Sequence, residues 1–420
     1  MLPPAIEEFV PAGHLAHFVR ELVREELDLS GIVEVYDDER GQPPYHPVMM
    51  TALLLYAYCQ GVYASRRIAQ ACEQRLDFMA VTALAQPDFR TISDFRKRHL
   101  AALSGLFTQV LTLCAQAGLV KLGHVALDGT KIKANASKHK AMSYGRMKQA
   151  EAALAAEVAG WLERAAAADA ADDAALGADR RGDELPAWVL EKQQRLAKIR
   201  AAKAALEAEA AQARAPRGDD RPPPEAPPPA PADKAQRNFT DPDSRIMKGP
   251  DGFVQAYNAQ AAVDAASQVI VAQFVTSQAT DARQFEPLVA QIKANTGRQA
   301  AEVSADAGYC SEHNLQVAQR RHIRAYIATG RQRHGQASAT NARRGQLSGG
   351  LVAAMRQRLR RGGWRSRYRL RKGTVEPVFG IAKHVRGFRQ FLLRGATKVA
   401  GEWSLVTTPH NLHKLAAACA

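Results

Sequence analysis

Eight of the sixteen residues from Pro216 to Pro231 are proline. Proline lacks an amide hydrogen and fixes φ, so this stretch favours an extended polyproline conformation and excludes packed helix or sheet. It is a spacer, and any sheet this chain builds must draw strands from either side of it. At 420 residues the chain has room for two or three folding units and a substantial core.

Before the spacer the patterning changes twice. Apolar residues crowd Pro47 to Cys59 and recur through Ile68, Ala71, Cys72, Leu76 and Met79, as on one helix face. After Pro87, Thr91-Ile92-Ser93-Asp94-Phe95-Arg96-Lys97-Arg98-His99 offers an N-cap and then a basic turn. Residues 1–120 are therefore expected to be a helical domain. Its short helices, one of them basic, suit a helix-turn-helix-like DNA-binding unit or an ordinary bundle with a solvated basic face. From His124 the pattern is that of a strand, with Val125 and Leu127 alternating, so residues 121–144 are expected to open a second domain. Residues 145–237 form an insertion: two amphipathic helices, carrying Leu154, Val158, Trp161 and Leu162, then Val189, Leu196, Ile199 and Leu206, followed by the prolines.

The strand signal returns at Phe253–Val263 and Gln268–Val275 around a four-residue hairpin loop. A helix over Asp281–Asn295, a strand ending at Asp306, a helix over Ser311–Arg321 and a strand over Ile323–Ala328 follow. Residues 238–420 thus complete what 121–144 begins, an α/β mixed sheet with covering helices.

Charge is distributed unevenly along this framework. The chain carries +15, but Arg320 to Lys372 alone holds 15 Arg and one Lys with no Asp or Glu, whereas Gly145 to Arg237 holds 15 basic and 16 acidic residues. A polyanionic partner is the first expectation for the basic run, since closely spaced cations bind phosphate backbone without reading sequence. Arg356, Arg358, Arg360, Arg361, Arg369 and Lys372 are its candidate DNA contacts, and Trp364 and Tyr368 can stack on an unpaired base. The near-neutral insertion suits spacing or protein contact. The five cysteines form no Cys-x-x-Cys pair, which disfavours a zinc site or disulfide framework and suits a reducing cytoplasm. The amino terminus has no secretory pattern, and Val48–Cys59 is too short to span a bilayer. Trp403 and His410-Asn411-Leu412-His413 suit an amphipathic closing helix better than a metal site, and no phosphate-binding Gly-Lys-Ser/Thr loop is evident.

Three carboxylates stand where chemistry is expected. Asp128 lies within the first strand, where an isolated charge is unfavourable unless paired or metal-bound. Asp306 ends a later strand, and Glu376 opens a helix that Pro377 can begin. Singly, each is an ordinary cap or turn residue. Together, acids converging from different elements are what a two-metal phosphodiester cleavage requires, because hard Mg²⁺ takes oxygen ligands.

The blocks Ala126-Leu127-Asp128-Gly129-Thr130-Lys131-Ile132, Asn238 to Met247, Tyr257-Asn258-Ala259-Gln260, Ala305-Asp306-Ala307-Gly308-Tyr309 and Val375-Glu376-Pro377-Val378-Phe379-Gly380 resemble those of bacterial insertion-sequence DDE transposases. The resemblance runs from about Pro47 to Leu415. It implies a ribonuclease H-like catalytic domain whose catalytic, metal-binding acids are Asp128, Asp306 and Glu376, with two Mg²⁺ ions or Mn²⁺ in their place. It also implies an enzyme that cleaves DNA at the terminal inverted repeats of a mobile element and joins the freed 3′-hydroxyl to target DNA. Such an enzyme acts as a homodimer or higher oligomer on DNA, in the cytoplasm at the nucleoid, away from membranes. A nuclease that cuts without joining, and a catalytically inactive regulator descended from a transposase, are the rival readings. In related transposases the third motif often carries Tyr seven and Arg four residues before the Glu and Lys seven after it. Lys383 fits and shares a helical face with Glu376, as a phosphate contact would. The upstream positions are Arg369 and Lys372, with Tyr368 one residue out of place, so the tyrosine and arginine roles are not carried over.

Overall fold

The computed structural model describes residues 5–36, 45–176, 187–214, 230–249, 252–330, 340 and 350–419. Of the proline-rich spacer, only Ala230 and Pro231 are among them, and Arg331, Arg333, Arg343 and Arg344 of the basic run lie outside them. The chain divides into two compact units, one made of residues 1–134 with 256–420 and the other of residues 135–255.

The larger unit begins with helices, chiefly Leu15–Glu25, Pro47–Cys59, Ser65–Gln74, Leu76–Thr82, Phe89–Arg98 and Leu100–Gln116. Pro47 starts its helix at the position where a missing amide costs nothing, and His46 caps it through Val48 N–H. Eleven of the thirteen residues of that helix are buried, so an all-round apolar run here means a core helix. No helix among the described residues is long and apolar enough to cross a membrane. The cap of the basic helix lies at Asp88, ahead of the expected stretch. Its carboxylate accepts from the amides of Arg90 at 2.6 Å and Thr91 at 3.3 Å, which starts the helix at Phe89. Arg96 turns inward from that helix and donates to Tyr58 Oη and the Tyr63 carbonyl.

Among the described residues, eight strands follow in order: β1 Val125–Lys133, β2 Ala141–Ser143, β3 Gln236–Asn238, β4 Arg245–Gly249, β5 Gly252–Asp264, β6 Ile270–Thr276, β7 Glu302–Ala305 and β8 Arg324–Ile327. In the larger unit β1 is central. It runs antiparallel to β5, with Val125 opposite Asp264 and Lys133 opposite Ala256, and parallel to β7, with Leu127 opposite Ala305. β6 continues the antiparallel side beyond β5 and β8 the parallel side beyond β7, giving the order β6-β5-β1-β7-β8. This is a ribonuclease H-like mixed sheet of the kind the sequence predicts. Helices Phe285–Thr296 and Glu312–Arg320 form the connections between β6, β7 and β8.

The closing helix, Ala396–Cys419, packs on β6 and on Leu100–Gln116. The His-Asn-Leu-His cluster serves this packing. Asn411 exchanges two hydrogen bonds with the backbone of Ile270, and His410 meets the Gln268 carbonyl at 2.8 Å. Trp403 is buried, with its indole N–H on the Gln260 carbonyl.

The smaller unit is a helical hairpin of Tyr144–Leu176 and Ala187–Arg214 with the short antiparallel pair β2 and β3 at its base. Tyr144, Met147, Ile199, Ala202 and Leu206 form its core. Asn238 closes the turn after β3 by accepting from the amides of Thr240 and Asp241.

Asp264 ties the hairpin between β5 and β6 to the chain that enters β1. Its buried carboxylate accepts from the amides of Lys121 at 2.9 Å, Leu122 at 2.6 Å and Ala266 at 2.8 Å. Asp264→Ala leaves those donors without their acceptor and is expected to cost about 2–4 kcal/mol, read as a lowered urea midpoint. An unchanged midpoint would show that the three bonds are replaced at no cost.

Candidate active site

The sheet register brings two of the sequence-predicted acids together. Leu127 of β1 lies opposite Ala305 of β7, so Asp128 and Asp306 each stand one residue beyond that pair on neighbouring parallel strands. Asp128 Oδ1 accepts from the Gly129 amide, and Asp306 Oδ1 caps a short turn by accepting from the Gly308 amide at 2.9 Å. Burial pushes the Asp128 carboxyl up to about 6, with Arg371 opposing the shift and Asp306 adding to it. Burial raises Asp306 as well.

Glu376 joins this pair through an intermediary. Arg371 Nη1 lies 2.9 Å from Asp128 Oδ2, and its Nη2 lies 3.6 Å from Glu376 Oε1. Glu376 itself is exposed at the start of the helix Glu376–Gly380. Among the described residues, no three acidic, histidine or cysteine side chains are grouped to hold a metal ion. The donor set nevertheless fits a hard divalent cation. Two adjacent, half-buried carboxylates are held where desolvation disfavours their charged forms, and cation binding would relieve that cost.

Lys383 also reaches the site. It lies in a π-helical turn, Ile381–Val385, and its ammonium donates to Thr130 Oγ1 and to the Lys131 carbonyl on β1. Burial lowers its pKa.

Two site residues escaped the sequence reading. Asp281, read there as the start of a helix, lies in the turn after β6, and the helix begins at Phe285. Its Oδ1 accepts from Asn258 Nδ2 at 2.7 Å and Gln260 Nε2 at 2.8 Å, and Lys131 Nζ lies 3.4 Å away. Its negative charge adds to the upward shifts of Asp128 and Asp306. The crowding explains both glycines of the acidic motifs. A Cβ on Gly129 would lie 2.2 Å from Gln260 Nε2 and 2.6 Å from Asp281 Oδ1, and one on Gly308 would lie 3.2 Å from Asp281 Oδ2. Asn258 and Gln260 alternate on β5 and so face the same side, which accounts for the Tyr-Asn-Ala-Gln block. Tyr309 donates to Gln260 Oε1 from the second acidic motif.

The other missed residue is Arg371, which is hydrogen-bonded to Tyr368. The two are three residues apart, as in the family pattern, but Arg371 precedes Glu376 by five residues instead of four. The helix Leu370–Thr374 ends before Glu376–Gly380 begins, and this break at Val375 absorbs the extra residue. Searching with one residue of slack would have found the pair.

The basic run does not present a uniform surface. Arg356 is buried, and no hydrogen bond reaches its Nε among the described residues. Arg358 donates to the Ala325 carbonyl and Arg360 to Thr340, while Arg367 pairs with Glu302. Arg361, Arg369 and Lys372 are exposed.

Comparison with known families agrees with this geometry. A transposase domain model (DUF772) matches residues 4–98, and a transposase DDE domain model matches residues 229–412. Between them they cover about two thirds of the chain, and Asp128 falls in the stretch that neither matches. No curated protein and no solved structure matches the chain. The chain belongs to the DDE transposases, whose DDE domain carries a ribonuclease H-like sheet of the kind described above.

The Asp128 shift has a consequence for stability. A carboxyl whose folded pKa lies near 6, against an ordinary 3.8, favours the fold while protonated and loses that contribution as pH rises through this interval. In chelator-treated protein, Asp128→Asn should therefore be more stable than the parent above pH 6, by up to about 3 kcal/mol. The gap should close below about pH 4. Urea titrations across this range check it, and a gap that does not vary with pH would contradict the shift.

Proposed function

We propose that this transposase cleaves phosphodiester bonds at the ends of a mobile element and joins the freed 3′-hydroxyl to target DNA, with Asp128, Asp306 and Glu376 as its catalytic acids. The observation that carries the reading is the register of β1 and β7, which sets Asp128 beside Asp306 with Glu376 linked through Arg371. These three side chains would hold two Mg²⁺ ions, or Mn²⁺ in their place. When bound, such ions supply an activated water and neutralise charge at the leaving 3′ oxygen. The protein's own contribution is to hold two carboxylates side by side in one half-buried pocket, fixed by the Gly129 and Gly308 amides. Asp281, through Asn258, Gln260 and Lys131, braces the floor of that pocket. Arg371 shields the aspartates from each other until a cation takes over that role. The reaction needs two DNA ends held together, so the active form is a homodimer or higher oligomer on DNA, working at the nucleoid in the cytoplasm. Residues 1–120 form its helical DNA-binding segment, with the exposed Arg66, Arg67 and Arg90 touching the duplex.

Asp128→Asn, Asp306→Asn and Glu376→Gln are each expected to abolish metal-dependent cleavage of an element-end duplex while leaving its binding nearly intact, since a hard cation needs the anion. Cleavage and gel-shift assays on the folded variants check this. Near-normal cutting by any one of them would remove that residue from the catalytic set, and cutting without joining of a supplied 3′ end would favour a nuclease.

The exposed part of the basic run, with Lys383 beside it, is proposed as a backbone-binding surface leading into the Glu376 helix. Arg356 is left out because it is buried. Replacing Arg360, Arg361, Arg369 and Lys372 with Gln should weaken binding to element-end and unrelated duplexes by similar factors. The slope of log affinity against log salt should become shallower by about 0.9 for each phosphate that is no longer neutralised. A weakening confined to the element end would mean that these residues read bases.

A further inference from the structure

The insertion's net charge of near zero conceals a sorting of its charges in space. On the helix Ala187–Arg214, Leu196, Ile199 and Leu206 mark the buried stripe. On one flank of it the cations are neutralised: Lys192 pairs with Glu157, and Arg200 and Lys203 both pair with Glu151. At the base of the hairpin, Arg237 and Arg245 share Glu209, and Lys148 pairs with Asp233. On the opposite flank, Glu191, Arg195 and Lys198 follow each other at spacings of four and three residues, so they share one face. That face lines an open groove of about 600 Å³, together with His139 and Lys140 from the segment before the hairpin and Arg146 from its first helix. Lys140, Arg146, Arg195 and Lys198 are all exposed, and among the described residues none of their side chains makes an ion pair or a hydrogen bond. Glu191 is the single acid on the groove.

We propose that this groove is a binding site for the phosphate backbone of duplex DNA. Three separate elements contribute cations to one concave surface, while Glu151, Glu157, Glu209 and Asp233 are engaged in pairs elsewhere. A solvated face would have no reason to leave its positive charges clustered while every one of the three cations on the opposite flank has an acidic partner. Clustered like charges repel, and an anionic ligand that bridges them removes that cost. Backbone contacts position DNA without reading its sequence, which is what a surface of Lys and Arg with few other polar groups provides. The inference rests on the transposase reading for the identity of the polyanion, and it changes the role of the insertion from spacing to holding DNA.

The test uses the full chain with Lys140, Arg146, Arg195 and Lys198 all replaced by Gln, against a control with Arg200 and Lys203 replaced by Gln. Affinities for an element-end duplex and for an unrelated duplex are measured over a range of salt concentrations. The groove variant should bind both duplexes more weakly, with the slope of log affinity against log salt shallower by about 2–4 in total. The control should keep the parent's slope. A charge-preserving variant, with Lys140→Arg, Arg146→Lys, Arg195→Lys and Lys198→Arg, should bind as the parent does, which separates the removal of charge from a failure to fold. Parent-like affinity and slope in the folded Gln variant overturn the proposal. Because these measurements read binding, a parent that binds duplex without cutting it would overturn the cleavage reading and leave the groove standing. A parent that binds no duplex would overturn both.

Discussion

Two carboxylates side by side in a half-buried pocket repel each other, and much of the larger unit is the means of keeping them there. β1 has to be central, because only a strand flanked by β5 and β7 can set Asp128 next to the end of β7. Gly129 leaves the space that Gln260, Asp281 and Asn258 fill, and Gly308 spares a tighter contact with Asp306 and Asp281. Arg371 supplies the nearest positive charge, and its second ion pair draws Glu376 toward the pocket from a different helix. Holding acids where burial raises their pKa costs stability, and that cost becomes affinity for whatever cation enters.

The parts of this arrangement legible in the sequence were those with a local signature. Alternation placed β1, β5 and β6, and the acids lay in short blocks whose neighbours, a glycine or a proline, fix the backbone. The remainder depends on contacts between distant segments. Asp281 lies in a turn that reads as the first residue of an amphipathic helix, and only the side chains of β5 reveal its place. Arg371 sits one residue away from the expected spacing because the helix breaks at Val375, and a fixed spacing assumes an unbroken helix. Arg356 belongs to an all-basic segment, yet the apolar face of the helix Gly350–Gly362 carries it inward. Summed charge failed for a related reason in the insertion. A total of near zero is the same whether opposite charges alternate evenly or separate into a paired flank and a bare one.

The interruption of the sheet also governs the order in which the molecule can assemble. β1 leaves the ribosome well before its partner β5, with residues 135–255 intervening, so the central pairing of the catalytic sheet closes a loop of more than a hundred residues. Lys133 and Ala256 stand opposite each other at the end of that pairing, which means that the two ends of the insertion emerge at neighbouring positions. The hairpin between them is held by contacts within its own segment, such as Tyr144 with Glu207 and Glu151 with Lys203. Once it has formed and β2 has paired with β3, the span to be closed shrinks from over a hundred residues to about two dozen, and the chain-entropy cost of pairing β1 with β5 falls by about 1.5 kcal/mol. The segment that carries none of the candidate site's carboxylates is thus the one that eases the strand bearing Asp128 into its place.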